Sequence, residues 1–453
     1  MQTDTTALVD DAAADGRFHV HARIYSDPAL YEQELRHVFE RTWSFLGVAS
    51  QLVKPHDYLT THIGRTPVLV TRGGDGTIRA FVNACRHKGA LLSRLEQGNR
   101  RNHVCPYHGW SYDSSGRNVL IKDQADGAYG APFASQSHDL VPLGAFDEYR
   151  GLLFGSLSAD VPPLPEFLGE ARPLLDLALQ QGEHGMELVP GRCVYTYRGN
   201  WKLQMDNGLD FYHLTSTHAA FMGVVQRRES ERKGNTDARQ FDWRARLVQE
   251  GGAFGFDHGH AAIWLEQPQP EKRPLWPVVD EVRSRVGEVR ARWMLKLRNL
   301  NIFPNLQIAD STSLILRTFR PLGPDLTEMR VHCLAPIGEP DEQRAWRLRQ
   351  FEDFFNPSGL ATSDDTVIYE DCQAGSVDAL GWLQGFQRGL GADLVSPTPD
   401  ADELGMRPRY SVKGTFRMQN EVCFHAAYRE WARLMAAGAE GRPAYPGLDG
   451  GRP

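Results

Sequence analysis

Between Asp27 and Trp43 the apolar residues Leu30, Leu35, Val38 and Phe39 recur near the helical period, which predicts an amphipathic helix packed by that face on the body of the protein. From Tyr58 the pattern changes to short β-rich runs. Residues 58–63, 68–72 and 78–82 read as strands, with Gly73-Gly74-Asp75-Gly76 as a turn, so a small antiparallel unit is expected. Further on, 194–198, 314–320 and 328–335 read as strands of a second antiparallel sheet, and 281–297 and 341–355 as helices covering it. The segment 229–273 is polar and Gly-rich in places, which suggests a mobile entrance loop, and residues 1–17 are polar and read as loose. The fold class that follows is α+β, with no internal repeat.

The 453 residues are enough for two domains, and the net charge of −7 with no basic stretch argues against a nucleic-acid partner. The opening Met1–Asp11 lacks the basic and apolar regions of a signal peptide, and no apolar run is long enough to cross a bilayer; a cytoplasmic protein with no membrane partner is expected. Six cysteines in so long a chain do not make a disulfide framework. Paired Cys and His in a reducing compartment point instead to metal or redox work.

Two groups of residues bear on chemistry. The first is Cys85-Arg86-His87, then seventeen residues, then Cys105-Pro106-Tyr107-His108. Two thiolates and two imidazoles on paired β-loops suit either a structural Zn(II) or a [2Fe-2S] cluster with two cysteines on one iron and two histidines on the other. The Pro-Tyr-His-Gly-Trp context and the spacing are characteristic of Rieske clusters, and the loop glycines let backbone N–H groups turn toward the sulfurs.

The second group lies in Asn200–His218, which offers Asp210, His213 and His218. Two imidazoles with one distant carboxylate would form the facial triad of a non-haem Fe(II) site, with open positions for O2. On an ideal helix Asp210 and His213 share a face, whereas His213 and His218 lie about 140° apart. The helix must therefore widen into a π-turn or end near Thr215–Thr217.

Together with Asn200-Trp201-Lys202-Leu203-Gln204, these motifs resemble the large (α) subunit of a Rieske non-haem iron aromatic ring-hydroxylating dioxygenase, over nearly the whole chain. The chain is most similar to the benzoate, toluate and anthranilate branch through residues 149–157, 298–304, 349–359 and 363–365. The resemblance implies an N-terminal helical segment (1–43), a small all-β Rieske domain (44–163) and a catalytic domain (164–453) with a helix-grip, START-like sheet. It assigns Cys85, His87, Cys105 and His108 to the cluster and His213 and His218 to the iron. Asp210 matches a bridging carboxylate that hydrogen-bonds His108 of a neighbouring subunit and passes electrons to His213. Asn207 matches an asparagine close to the iron. Two aspartates, Asp364 and Asp365, compete for the third ligand; by the separation from Glu370 the resemblance implies Asp365, with Asp364 then an N-cap and Glu370 solvated or paired. Cys193, Cys333, Cys372 and Cys423 are expected to be small buried residues.

The activity implied is cis-dihydroxylation of a benzoate-like carboxylate, using O2 and NADH-derived electrons from a flavin and iron–sulfur reductase. A small β subunit in an α3β3 particle is implied too, because the two metals of one chain are too far apart and a neighbouring subunit closes the gap. Arg227 or Arg228 is a candidate to hold the substrate carboxylate. Phe211 stands where the branch usually has Gly, Asp206 where it more often has Glu, and 214–217 also differ, so anthranilate, salicylate, halobenzoate and alkylbenzoate stay open. The alternatives are a Rieske monooxygenase or demethylase with the same ligands, and an electron-transfer or zinc-stabilised binding protein without oxygenase activity.

Overall fold

The computed structural model of the chain describes residues 8–191, 193–221, 223–224, 227, 249–377, 379, 381, 384–390, 396–415 and 421–446. It has two compact units, Phe39–Leu164 with Ala444–Pro453, and Met1–Val38 with Pro165–Pro443.

The smaller unit is built on antiparallel strands. Asp57–Ile63, Thr66–Arg72, Ile78–Val82 and Gln97–Asn99 make a four-stranded sheet, and Asn102–Val104, Ser111–Asp113 and Asn118–Leu120 a three-stranded one. A third sheet joins Ser44–Val48, Ala145–Tyr149 and Leu152–Ser156. The expected strands are all present, and Gly76 at φ 82° makes the expected turn. Alternation along Val68-Leu69-Val70 serves two cores. Val68 and Val70 pack with Leu59, Ile63 and Leu153, whereas Leu69 faces Tyr58, Cys85, Cys105 and Trp110.

The larger unit is organised on a nine-stranded antiparallel sheet. In chain order its strands are β1 (Met186–Leu188), β2 (Cys193–Tyr197), β3 (Glu250–Gly255), β4 (Ala261–Leu265), β5 (Leu297–Ile302), β6 (Leu306–Asp310), β7 (Leu314–Gly323), β8 (Leu326–Pro336) and β9 (Tyr410–Thr415). β1 and β2 both pair with β8, and the order then runs β8-β7-β6-β5-β4-β3-β9. Its helices include α1 (Pro28–Glu34), α2 (Trp201–Asn207), α3 (Val279–Val286), α4 (Glu288–Leu295), α5 (Asp341–Phe354), α6 (Thr362–Gly375) and α7 (Val422–Ala439). The α+β class is as expected.

Several local expectations change. The segment 249–273 is no loose loop: it supplies β3 and β4 inside the sheet, while 229–248 lies outside the described residues. Its glycines mark close packing, since a Cβ on Gly251 would meet the Leu265 side chain at 2.4 Å and one on Gly252 the Trp264 Nε1 at 2.6 Å. The helix expected over 281–297 is two helices, parted at Gly287, whose φ of 87° no helix continues through. Val9–Ala12 pairs with Arg17–Val20 where a loose end was expected, because Phe18 and Val20 are buried and Arg429 grips Asp11 at 2.5 and 2.7 Å.

The N-terminal helix forms as its pattern predicts, capped by Asp27, whose Oδ1 accepts from Ala29 N (2.8 Å), and it widens into a π-turn over Leu35–Phe39. Its last residue, Glu34, is buried and accepts from Lys202 Nζ, Trp201 Nε1 (2.9 Å) and Trp431 Nε1 (2.7 Å), which ties α1 to α2 and α7. Removing one member of such a pair strands a buried charge. Glu34→Ala is therefore expected to destabilise the larger unit by about 3–5 kcal/mol, with Glu34→Leu/Lys202→Met recovering most of the loss. Urea unfolding followed by tryptophan fluorescence measures both, and an unchanged Glu34→Ala midpoint would remove this role.

Candidate metal centres

Helix α2 brings the first ligand segment into place. Asn200 caps it, Oδ1 accepting from Lys202 N at 3.1 Å, and the helix ends at Gly208. Gly208 is required there because a Cβ would meet the Gln307 side-chain amide at 2.2 Å. That amide donates to the Gln204 and Met205 carbonyls, both at 3.1 Å, and Asn299 Nδ2 donates to Gly208 O at 2.9 Å, so β5 and β6 satisfy the open helix end. The expected break is present and comes earlier than 215–217. After Gly208 the chain turns, and Tyr212–Thr215 is a 3₁₀ turn with Asp210 Oδ1 accepting from Tyr212 N (2.7 Å) and His213 N (3.3 Å).

This break lets His213 and His218 face one point, with ring centroids 5.2 Å apart. From the first turn of α6, Asp365 Oδ1 comes within 3.6 Å of His213 Nε2 and 3.2 Å of His218 Nε2. One ligand atom from each of the three residues lies within 4.8 Å of the other two. Two imidazoles and a carboxylate converging in this way fit a divalent iron, and the donor set leaves coordination positions open. Asn207 Nδ2 donates to Asp365 Oδ1 at 3.1 Å and lies 3.4 Å from His213 Nε2.

Each imidazole has a carboxylate on its far side. Asp210 Oδ2 lies 3.4 Å from His213 Nδ1, and Asp364 Oδ2 lies 3.3 Å from His218 Nδ1. Asp364 thus stands in the first turn of α6 rather than at its N-cap, which is Ala361, and it orients a histidine. Burial disfavours a charged His213, but the Asp210 and Asp365 carboxylates outweigh it and hold the imidazole above its usual pKa. Burial likewise works against ionised Asp365, yet the two histidines hold its carboxyl below the usual range. The three groups are electrostatically matched.

The cluster motif forms two loops of near-identical geometry. Gly89 N donates to Cys85 O (2.9 Å) and Gly109 N to Cys105 O (3.0 Å), with φ of 73° and 75° at the two glycines. Both cysteines are buried, while His87 and His108 lie outward with their Nδ1 atoms 3.1 Å apart. Two nitrogens tetrahedrally bound to one ion would lie roughly 3.4 Å apart, so this pair fits one iron of a [2Fe-2S] cluster. Trp110 stacks on His87, with centroids 5.1 Å apart. The Tyr112 hydroxyl accepts from Arg86 N (3.0 Å), which leaves its own proton for Cys85 Sγ at 3.4 Å. Burial keeps that phenol protonated by pushing its pKa up.

The chain matches the model of the ring hydroxylating alpha subunit (catalytic domain) over residues 187–437 and the Rieske [2Fe-2S] domain over 42–133. It belongs to the ring-hydroxylating α-subunit family. The α subunit of toluate 1,2-dioxygenase from Pseudomonas putida is 38% identical, covering 95% of this chain and 93% of its own. The large subunits of 2-halobenzoate 1,2-dioxygenase from Burkholderia cepacia and anthranilate 1,2-dioxygenase from Acinetobacter baylyi are 37% and 35% identical, each over 96% of this chain and 93% of theirs. The crystal structure of naphthalene 1,2-dioxygenase from Rhodococcus sp. superposes with a TM-score of 0.80 at 25% identity, over 92% of this chain and 94% of that one. A ring-hydroxylating α subunit with a Rieske domain is an oxidoreductase that uses a Rieske cluster and a mononuclear iron.

Other expected residues are placed as follows. Phe211 is buried beside the ligand turn, Arg227 is exposed, and Arg228 lies outside the described residues. Glu370 Oε1 accepts from Arg198 N at 3.1 Å. Cys193, Cys333 and Cys423 are buried, but Cys372 is exposed: it continues the stripe of Asp365 and Tyr369, yet it sits in the last turn of α6, beyond the part of that stripe that is covered. Sequence reasoning missed the orienting role of Asp364, although two adjacent aspartates in one helical turn could have signalled a ligand and its neighbour's support.

Replacing Asp365 by Ala is expected to abolish iron retention. Asp364→Asn should weaken it about 10- to 100-fold through a less constrained His218. Chelator-accessible iron after dialysis reads both, and wild-type retention in Asp365→Ala would exclude the triad.

Proposed function

We propose that this chain is the catalytic subunit of a cytoplasmic terminal oxygenase that cis-dihydroxylates an aromatic carboxylate of the benzoate class. The observation that carries the reading is the convergence of His213 Nε2, His218 Nε2 and Asp365 Oδ1. The relatives named for toluate, 2-halobenzoate and anthranilate support the substrate class. Residues 44–163 form the electron-storing domain and 164–453 the catalytic one.

His213, His218 and Asp365 hold the iron, and Cys85, His87, Cys105 and His108 hold the Rieske cluster. When bound, the iron supplies O2 activation and the cluster a one-electron store. Asn207, donating to Asp365 Oδ1, fixes which carboxylate oxygen faces the histidines. Asp210, its Oδ2 3.4 Å from His213 Nδ1, would link that imidazole to His108 of a neighbouring subunit, the place at which electrons would pass from one subunit to the next. Such a route calls for an α3 ring, with a small β subunit completing α3β3, and for a flavin and iron–sulfur reductase that draws on NADH. Phe211 and Leu214, both buried in the segment that carries His213, are the large apolar side chains nearest in sequence to that ligand and are candidates to contact the aromatic ring.

Two experiments test this reading. With purified reductase, 18O2 and a panel of substituted benzoates, both labelled oxygens are expected in a ring diol; a single label in a phenol would establish monooxygenation instead. With product counted per iron-loaded site, Asp210→Asn, which keeps an oxygen for the Tyr212 and His213 backbone N–H groups, is expected to leave the cluster reducible while product per turnover drops about 10- to 100-fold or more. Single-turnover analysis of the pre-reduced oxygenase measures it, and undiminished product would dismiss the bridging role.

A further inference from the structure

Among the described residues four arginines are buried: Arg273, Arg298, Arg317 and Arg347. Arg273 and Arg298 are paired with Asp310, and Arg347 with Glu339. Arg317 has no hydrogen bond or ion pair to any described residue, and its Nε is shielded from solvent. A guanidinium cannot shed its proton at physiological pH, so an enclosed one without a counter-charge is costly unless an anion arrives to meet it.

Its position says which anion. Arg317 lies on β7 opposite Gln307 of β6, and Gln307 in turn opposite Asn301 of β5, so the three side chains leave the same face of the sheet. That face meets the end of α2, since Gln307 holds the Gln204 and Met205 carbonyls. Asn301 is fully buried, and neither atom of its amide has a partner among the described residues. The guanidinium lies 5.7 Å from the Phe355 ring centroid; Phe355 packs edge-on against Phe354 at 4.9 Å, and Phe354 against His218 at 5.8 Å. The cation therefore stands beside the iron triad, and its charge is felt at both His213 and Asp365. It forms no ion pair with Asp365, so holding that carboxylate is not its task.

We propose that Arg317 is the carboxylate receptor of the substrate pocket, orienting an aromatic acid so that chosen ring carbons face His213, His218 and Asp365. This rests on the aromatic-acid reading above. The planar fork of a guanidinium takes a carboxylate through two parallel N–H···O bonds, which sets ring orientation as well as affinity. Phe355 holds the guanidinium from one side, and the Asn301 amide offers a further polar contact on the same face.

The test is equilibrium dialysis of labelled benzoate and of its neutral isostere benzamide against the assembled, metal-loaded oxygenase. In the wild type, benzoate is expected to bind about 100-fold more tightly than benzamide, and Arg317→Met to weaken benzoate about 100-fold. Benzamide affinity should move by less than roughly threefold, and Arg317→Lys, which keeps the charge without the fork, should fall between. Iron and cluster content should match the wild type in both variants. Equal wild-type affinity for the two ligands, equal losses of both in Arg317→Met, unchanged benzoate affinity, or loss of iron would each overturn the assignment. A wild type that binds no benzoate, toluate or halobenzoate removes the aromatic-acid reading and this inference together, whereas benzoate binding that survives Arg317→Met removes the inference alone.

Discussion

The catalytic unit is constrained by the need to hold two imidazoles and a carboxylate within a few ångström of each other before any cation arrives. His213 and His218 come from a segment that cannot be one α-helix, and Asp365 from the start of a different helix. Meeting at one point requires α2 to stop at Gly208, a turn to rotate His218 back toward His213, and α6 to present its first turn to both. Each requirement is met by a specific partner. Gln307 enters the space that a Cβ at 208 would fill, and Asp210 accepts from the backbone of the turn.

Charge is distributed with the same economy. Burying a carboxylate or an ammonium is unfavourable unless hydrogen bonds and opposite charge replace water. Glu34 meets that condition through Lys202 and two indole N–H donors, and Asp310 through Arg273 and Arg298. The first ties α1 to α2 and α7, and the second joins the neighbouring strands β5 and β6 to the segment that carries Arg273. Around the triad the arrangement differs: Asp210 and Asp364 flank the imidazoles from outside, while Asp365 faces inward with Asn207 as its donor. The inward side retains unpartnered polar atoms on the sheet face, as expected of a pocket that completes its hydrogen bonds with ligand.

The cluster loops obey a different rule. Each reverses over four residues from a buried cysteine to a glycine at positive φ, with the same backbone hydrogen bond closing it. The sulfurs consequently sit in the apolar core with Leu69 and Trp110, and the imidazoles point outward. Such a division suits an electron carrier whose histidine side must be reached from outside while its sulfur side stays dry.

Much of this was legible beforehand, and the physics says why. The Rieske motif, the strands around it and the His213–His218 segment depend on short-range spacing, which the chain itself specifies. Period-two runs such as Val68–Val70 and helical recurrence at Leu30, Leu35 and Val38 likewise identify buried faces without knowledge of what covers them. The break between the two iron histidines was also foreseeable, because their spacing is incompatible with one continuous helical face. Tertiary structure alone decided the rest. The glycines of β3 looked like looseness until Trp264 and Leu265 were seen to need their space, and Gly287 looked like one residue of a helix until its φ showed the division. Which of Asp364 and Asp365 faced the histidines from the inner side depended on how α6 docks, and the isolation of Arg317 depended on no described carboxylate, Asp365 included, coming within ion-pair distance of it. Spacing along a chain is encoded locally, but which distant groups meet, and which charge is left without a partner, is settled only when the strands and helices pack.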